Sequence, residues 1–278
     1  MGECSEPAWE AELVALDEGM KNRAVSFGSM ADDYDRLRPG YPAALFDDLL
    51  AAAGPRIAAG VLEIGAGTGL ATLALVRRGL DLVAVEPSSE MARVLVERLH
   101  EVGLTARVTV RQQRFDDLTA ADGPFGVAIA AQSFHWTDPH TRWRRLAELL
   151  RGDGMAFLFW NGWALDPQTH DHDKVREVYK TVGGGLAPDV DDDRSDGDWA
   201  QCEIRDEPHL EPAEERTYTW AWRLSVNDYL GLLATTSQYA VTPPGTRAEL
   251  FRRLPPVLGE NVSLAGRTLL LTTRRRVP

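Results

Sequence analysis

Short apolar-centred runs punctuate the middle of the chain: "GVLEIG", "DLVAVEP", "RVTVRQ", "GVAIAAQ" and "GMAFLFWN". Stretches with helical spacing separate them, among them "LATLALVRRG", "EMARVLVERLHEVG" and "TRWRRLAELLRGDG". Strands too short to be helices, alternating with amphipathic helices, predict an α/β fold with a doubly wound parallel sheet covered on both faces. Upstream, residues 1–25 predict a helical lead-in. Pro39 and Pro42 then interrupt "SFGSMADDYDRLRPGYPAALFDDLLAAAG" before a second helix. Residues 26–165 form the predicted core. From 166 to 212 the pattern dissolves into polar sequence, predicted as an insertion that acts as a lid over the active edge. Residues 213–278, with "ERTYTWAWRLS" and "GRTLLLTTRRRV", predict strands and helices that complete the same sheet.

With 278 residues, 44% of them hydrophobic, the chain can bury a sizeable core. No apolar segment reaches the about twenty residues needed to cross a bilayer, and the acidic N-terminus lacks the layout of a signal peptide. A cytoplasmic protein is expected. Two cysteines, Cys4 and Cys202, are too few for a disulfide framework and predict free thiols. The net charge of −12 opposes a broad nucleic-acid footprint and favours a small-molecule or short-peptide partner, with no nucleic acid and no membrane involved and a monomer or homodimer as the state.

No metal is expected. In "DDRSDGDWAQCE" (192–203) Arg194 takes the third position of a calcium-loop pattern, where a ligand oxygen is required, and the adjacent side chains of "HDHD" (170–173) point apart.

The stretch "VLEIGAGTGLATLALVRRGLDLVAVEP" (61–87) carries the most specific signal. Gly65, Gly67 and Gly69 alternate straight after an apolar run, and Glu86 closes the next one. In a dinucleotide-binding turn the third glycine falls three residues after the second; here that place is Leu70. Glycines let a ligand approach the backbone, and a carboxylate at the end of the second strand can accept both hydroxyls of a ribose. The loop therefore predicts a nucleoside ligand but is not shaped for a pyrophosphate. An NAD-dependent oxidoreductase and a non-catalytic nucleoside-binding relative are the alternative readings.

"VLEIGAGTG" with "VAVEP" resembles the first two motifs of class I S-adenosylmethionine-dependent methyltransferases. "FGSMADDYDRLRPGYP", "RFDDL", "AAQSFHWTDP", "LLRGDGMAFLFWN" and "ATTSQYAVTP" are similar to the type 11, trans-aconitate-methyltransferase-like group. The resemblance implies a seven-stranded Rossmann-like sheet with its last strand antiparallel, S-adenosyl-L-methionine as cofactor and S-adenosyl-L-homocysteine as product. It implies that Gly65, Ala66, Gly67 and Gly69 pass around the amino-acid moiety and ribose, that Glu86 holds the ribose hydroxyls, and that Pro87 and Met91 flank the adenine. Phe115 and Asp116 then bound its other face, with Gln132 and Ser133 close to the methionyl part.

Methyl transfer from a sulfonium is an in-line displacement, so alignment and exclusion of water supply most of the acceleration. Aromatic faces can stabilise the cation, and the pattern puts Tyr34, Tyr41, Trp136 and Trp160 at or over the strand ends; Tyr34 is assigned to the cofactor and the other three to the acceptor. His135, following the fourth strand, is the candidate catalytic base for an alcohol, phenol or ammonium acceptor. A carboxylate acceptor is already ionised and needs no base, in which case Arg36 or Arg38 would clamp the anion. The acceptor, and whether oxygen or nitrogen is methylated, is left open.

Overall fold

A computed structural model describes residues 37–183, 185–190 and 197–277. The lead-in, Tyr34, Arg36 and most of the aspartate-rich stretch thus lie outside the described residues. Seven strands form one sheet in the order β3-β2-β1-β4-β5-β7-β6. They are β1 (Val61–Ile64), β2 (Leu82–Val85), β3 (Val108–Arg111), β4 (Phe125–Ala131), β5 (Leu150–Leu165), β6 (Glu214–Ser225) and β7 (Asn261–Arg274). The strands from β3 to β5 pair in parallel, while β7 runs antiparallel between β5 and β6. This is the expected doubly wound sheet with its last strand reversed.

Ten helices accompany it among the described residues: α1 (Ala43–Ala53), α2 (Leu70–Val76), α3 (Ser89–Glu101), α4 (Arg142–Leu149), α5 (His172–Val182), α6 (Asp198–Asp206), α7 (Val226–Ala234), α8 (Ser237–Ala240), α9 (Pro244–Arg253) and α10 (Pro255–Leu258). Side chains alternate across each strand. Val127 and Ile129 of β4 therefore face one core, closed by Leu49 of α1, Leu75 of α2 and Leu99 of α3. Ala128 and Ala130 face the other, closed by Leu146 of α4 and by Ala200 and Ile204 of α6.

The 166–212 segment does not form one unit. Helix α6 is a sheet-covering element: a Cβ on Gly197, which precedes it, would come within 2.1 Å of the Leu269 side chain. Helix α5 instead joins α7, α9 and α10 in a third core with Leu165, Val262 and Leu264. That core exists because β5 continues well past the last residue of β4, which pairs at Phe159. The extra length of β5, β6 and β7 carries a helical lobe beyond the carboxyl edge of the parallel strands. Cys202, expected as a free thiol, is disulfide-bonded.

Candidate functional site

The site is built where β1, β2 and β4 end. After Ile64 the chain turns, with the Gly65 and Ala66 amides both donating to the Val85 carbonyl at 2.9 and 3.1 Å. Gly65, Gly67 and Gly69 have φ of 66°, 57° and 90°, the left-handed region that side chains oppose. At Gly65 the demand is also spatial: a Cβ there would sit 2.5 Å from Cβ of Ser133. Ser133 in turn donates its hydroxyl to the Ile64 carbonyl, which ties the end of β4 to the end of β1. Gly67 is less crowded: among the described residues an added Cβ would meet only Sδ of Met91, at 3.9 Å.

Glu86 faces this loop from the end of β2. Its two carboxylate oxygens accept separately, Oε2 from the Gly67 amide at 2.8 Å and Oε1 from the Ser88 amide at 2.8 Å. Only 5% of the residue is exposed, and that burial raises its pKa against the pull of the two amides. Each oxygen retains a lone pair for a further donor. Beneath the loop Glu63 is fully buried; Thr72 donates to Oε2 at 2.7 Å, and Oε1 has no partner among the described residues. Burial pushes this acid up to about 8, with Glu86 adding to the rise and the Thr72 hydroxyl resisting it.

Met91 follows the Ser88 N-cap of α3, whose hydroxyl accepts from the Met91 amide at 3.3 Å. Pro87 is exposed beside it. Phe115 is buried, its ring 5.7 Å from that of Phe134. Asp116 accepts from the Asp138 amide at 3.1 Å and from Arg114 at 2.8 Å, so it fastens the loop after β4 to the loop after β3.

Gln132 holds φ of 57°, costly for a residue with a side chain, and its side-chain amide donates to the Asn161 carbonyl at 3.0 Å. Asn161 donates onward to the Gly40 carbonyl at 3.1 Å and accepts from Thr268 at 2.6 Å. The 37–41 segment is thereby strapped to the end of β4 and to the middle of β5 and β7, with Tyr41 edge-on to Phe159 at 4.8 Å. Arg38 does not stand open as an anion clamp. It donates to the Thr235 hydroxyl and carbonyl at 3.1 and 2.8 Å and lies 5.5 Å over the Trp163 ring, joining the strap to the helical lobe.

His135 lies in a short turn, Phe134–Trp136, with its ring 4.9 Å from that of Trp136. Its Nδ1 accepts from the Trp160 indole at 3.2 Å. Burial, and then the nearby positive charge of Arg142, push its pKa down to about 4. Behind it Trp160 meets Trp199 edge-on at 5.8 Å, and Trp199 carries the Arg142 guanidinium 4.3 Å over its ring. Arg142 is completely buried and pairs with Glu203 of α6, which also accepts from the Trp143 indole.

The glycine loop, Glu86, Met91, Phe115, Asp116, Gln132, Ser133, His135, Trp136 and Trp160 thus gather on one edge. Sequence reasoning missed Asn161, whose signal is a lone amide closing the apolar run "FLFW", and the Arg142–Glu203 pair, which has no local signal. The histidines of "HDHD" hold backbone: His170 Nε2 accepts from the Ser263 amide and His172 Nε2 bonds the Leu165 carbonyl, both at 2.9 Å. Among the described residues no group of His, Cys, Asp or Glu is arranged to hold a metal, and no helix is long and apolar enough to cross a membrane.

The residues present fit S-adenosylmethionine: an uncrowded glycine turn at Gly67, a carboxylate with spare acceptor capacity at the end of β2, and an apolar flank in Met91 and Phe115. Comparison with known proteins agrees. A family model described as "Methyltransferase domain" matches residues 61–154. The chain is 30% identical over 253 residues to an uncharacterized methyltransferase of Mycobacterium tuberculosis, covering 88% of this chain and 90% of that one. It is 33% identical over 100 residues, 35% of this chain and 41% of the relative, to a ubiquinone biosynthesis O-methyltransferase of Xanthomonas campestris. The solved structure of a type II methyltransferase candidate from Anaeromyxobacter dehalogenans has the same fold, with a TM-score of 0.58 and 24% identity over 86% of this chain and 98% of that one. The chain belongs to the class I S-adenosylmethionine-dependent methyltransferases.

Proposed function

We propose that this methyltransferase acts on an oxygen or nitrogen of a small molecule, a secondary metabolite or modified peptide, and that it falls in the trans-aconitate-methyltransferase-like group. When bound, S-adenosylmethionine supplies an electrophilic methyl group that an acceptor lone pair can take up as the bonding pair returns to sulfur. In this reading the chain's own residues bind, orient and exclude water. Glu86 receives the ribose hydroxyls, Gly65 to Gly69 give the backbone approach, and Met91 and Phe115 flank the adenine. Gln132 and Ser133 stand nearest the methionyl part, and Trp136, Trp160 and Tyr41 form the acceptor side together with the helical lobe.

The observation that carries the reading is the Glu86 carboxylate, pinned by the Gly67 and Ser88 amides at the uncrowded turn of Gly67. An oxygen acceptor is favoured by the likeness to the Xanthomonas O-methyltransferase. The NAD-dependent alternative is displaced by the family and by Leu70, which begins α2 where a third glycine would be needed. The test is calorimetric titration with adenosylhomocysteine and with NAD, followed by incubation with labelled methyl donor and a panel of carboxylic acids, phenols, amines and peptides read by mass. Binding of NAD alone, or adenosylhomocysteine binding with no methylated product from any acceptor, would overturn the proposal.

A further inference from the structure

Trp160 is 3% exposed in β5, and among the described residues its indole nitrogen has one partner, Nδ1 of His135 at 3.2 Å. An indole N–H can donate and cannot accept. Nδ1 must therefore offer its lone pair, and a neutral imidazole that does so carries its proton on Nε2. A second proton on Nδ1 would set two N–H groups against each other. The buried guanidinium of Arg142 disfavours it too, since charging the ring would add a second cation to the same layer.

His135 Nε2 has no hydrogen-bond partner among the described residues, and the residue is half-buried rather than sealed in the core. The open face of the ring is thus an N–H group. It stands in the turn that follows β4, beside the ends of β1 and β5.

We propose that Trp160 is a positioning residue that locks His135 in the Nε2–H tautomer, so that the ring offers a donor and selects an acceptor whose nucleophilic oxygen is already ionised at neutral pH. The proposal rests on the methyltransferase reading of this edge. An oxyanion accepts the Nε2–H bond and loses no proton on methylation, so the imidazole has no proton to take up. An alcohol could accept the same bond, but it must lose a proton on methylation and the ring has no free nitrogen to take it; an ammonium group has no lone pair with which to accept. Because the oxyanion loses its charge as it reacts, the bond supports binding and orientation more than the transition state, and its effect falls on KM.

The experiment uses the full-length protein labelled with 15N and records imidazole nitrogen–proton correlations near pH 7, with His135 assigned by difference against His135→Gln. The expected spectrum has one tautomer, protonated at Nε2; Trp160→Phe converts it to a mixture, and Trp199→Phe leaves it unchanged. A wild-type ring protonated at Nδ1, or a Trp160→Phe spectrum identical to wild type, overturns the tautomer lock. The wild-type spectrum is decisive even if Trp160→Phe fails to fold.

Steady-state kinetics on matched carboxylate, phenol, alcohol and amine acceptors then test the selection. The expected result is turnover on the ionised oxygen acids, with KM raised about tenfold and kcat changed less in Trp160→Phe and His135→Gln. Turnover confined to amines, alcohols or phenols, none of which is an oxyanion near pH 7, overturns the substrate class. Adenosylhomocysteine calorimetry on the wild type separates the two levels: no binding sinks the methyltransferase reading itself, whereas binding without the tautomer sinks only the role of Trp160.

Discussion

Replacing Glu63 by glutamine should change how stability depends on pH without changing the fold. Glu63 is fully buried under the glycine loop, with one oxygen bonded to Thr72 and the other unpartnered among the described residues. Burial holds its pKa at about 8, against an ordinary 4.5. Between those values the folded chain keeps a proton that the unfolded chain releases, so stability falls as pH rises across the window. At about 1.4 kcal/mol per pKa unit, the loss from this group approaches about 5 kcal/mol by pH 8. Glutamine has the same shape, can accept from Thr72, and does not titrate. Wild type and Glu63→Gln should therefore unfold at similar temperatures near pH 5 and separate progressively above it, the variant becoming the more stable by about 10 °C at pH 8. Calorimetric or fluorescence-detected melting of both proteins from pH 5 to 8 measures this. Parallel curves, or a variant that is less stable throughout, would refute the reasoning and mean that Glu63 is ionised in the folded protein.

Gly65→Ala should weaken adenosylhomocysteine binding at least tenfold by calorimetry and lower the melting temperature, because φ of 66° disfavours any side chain and the new Cβ would meet Ser133 at 2.5 Å; unchanged affinity would move the cofactor elsewhere. Glu86→Ala should cost about 1.5–3 kcal/mol of binding, a ten- to hundredfold loss, through the charge-assisted bonds it removes; an effect on stability alone would reassign Glu86 to holding the loop. Glu203→Ala leaves the guanidinium of Arg142 buried without its carboxylate and should destabilise the protein by about 3 kcal/mol in denaturant titration, with no measurable loss counting against the buried pair. Hydrogen exchange should find α6 protected without any ligand, since Ala200 and Ile204 are sealed against the sheet; rapid exchange that slows only on addition of cofactor and acceptor would restore the lid expected from sequence.

The glycine loop and its acid were legible because their determinants are local. Three glycines at positive φ, an apolar run before them and an acid ending the next run all fall within 61–87, and the glycines are required by the backbone they adopt, the acid by the amides it accepts from. The sheet was legible for the same reason, up to the point where the apolar run stops at "FLFWN". Beyond Asn161, β5 continues through Gly162 and Trp163, and what makes it a strand is pairing with β7 a hundred residues on, which no local pattern displays. Helix α6 was hidden by composition: "DWAQCEIRD" is mostly polar, and only Ala200 and Ile204 are fully sealed in the core it covers. Arg38 could be singled out as a cation but not given its partner, because Thr235 arrives from the far end of the chain.

The acceptor side consists of such long-range meetings. Trp160 and His135 are each conspicuous in sequence, but the proton on the imidazole is decided by the bond between them, and that bond exists only once β4 and β5 lie side by side. A histidine after the fourth strand reads as a base when considered alone. Capped at Nδ1 by an indole it reads as a donor, and the two readings call for opposite acceptors, one that must lose a proton and one that has none to lose. On the proposed reading, donor recognition and acceptor recognition are carried by physically different features of one edge, a backbone conformation and a set of side-chain pairings. A substitution that alters the pairing of Trp160 with His135 can change which molecule is methylated while Gly65, Gly67 and Glu86, and with them the grip on the cofactor, are left as they are.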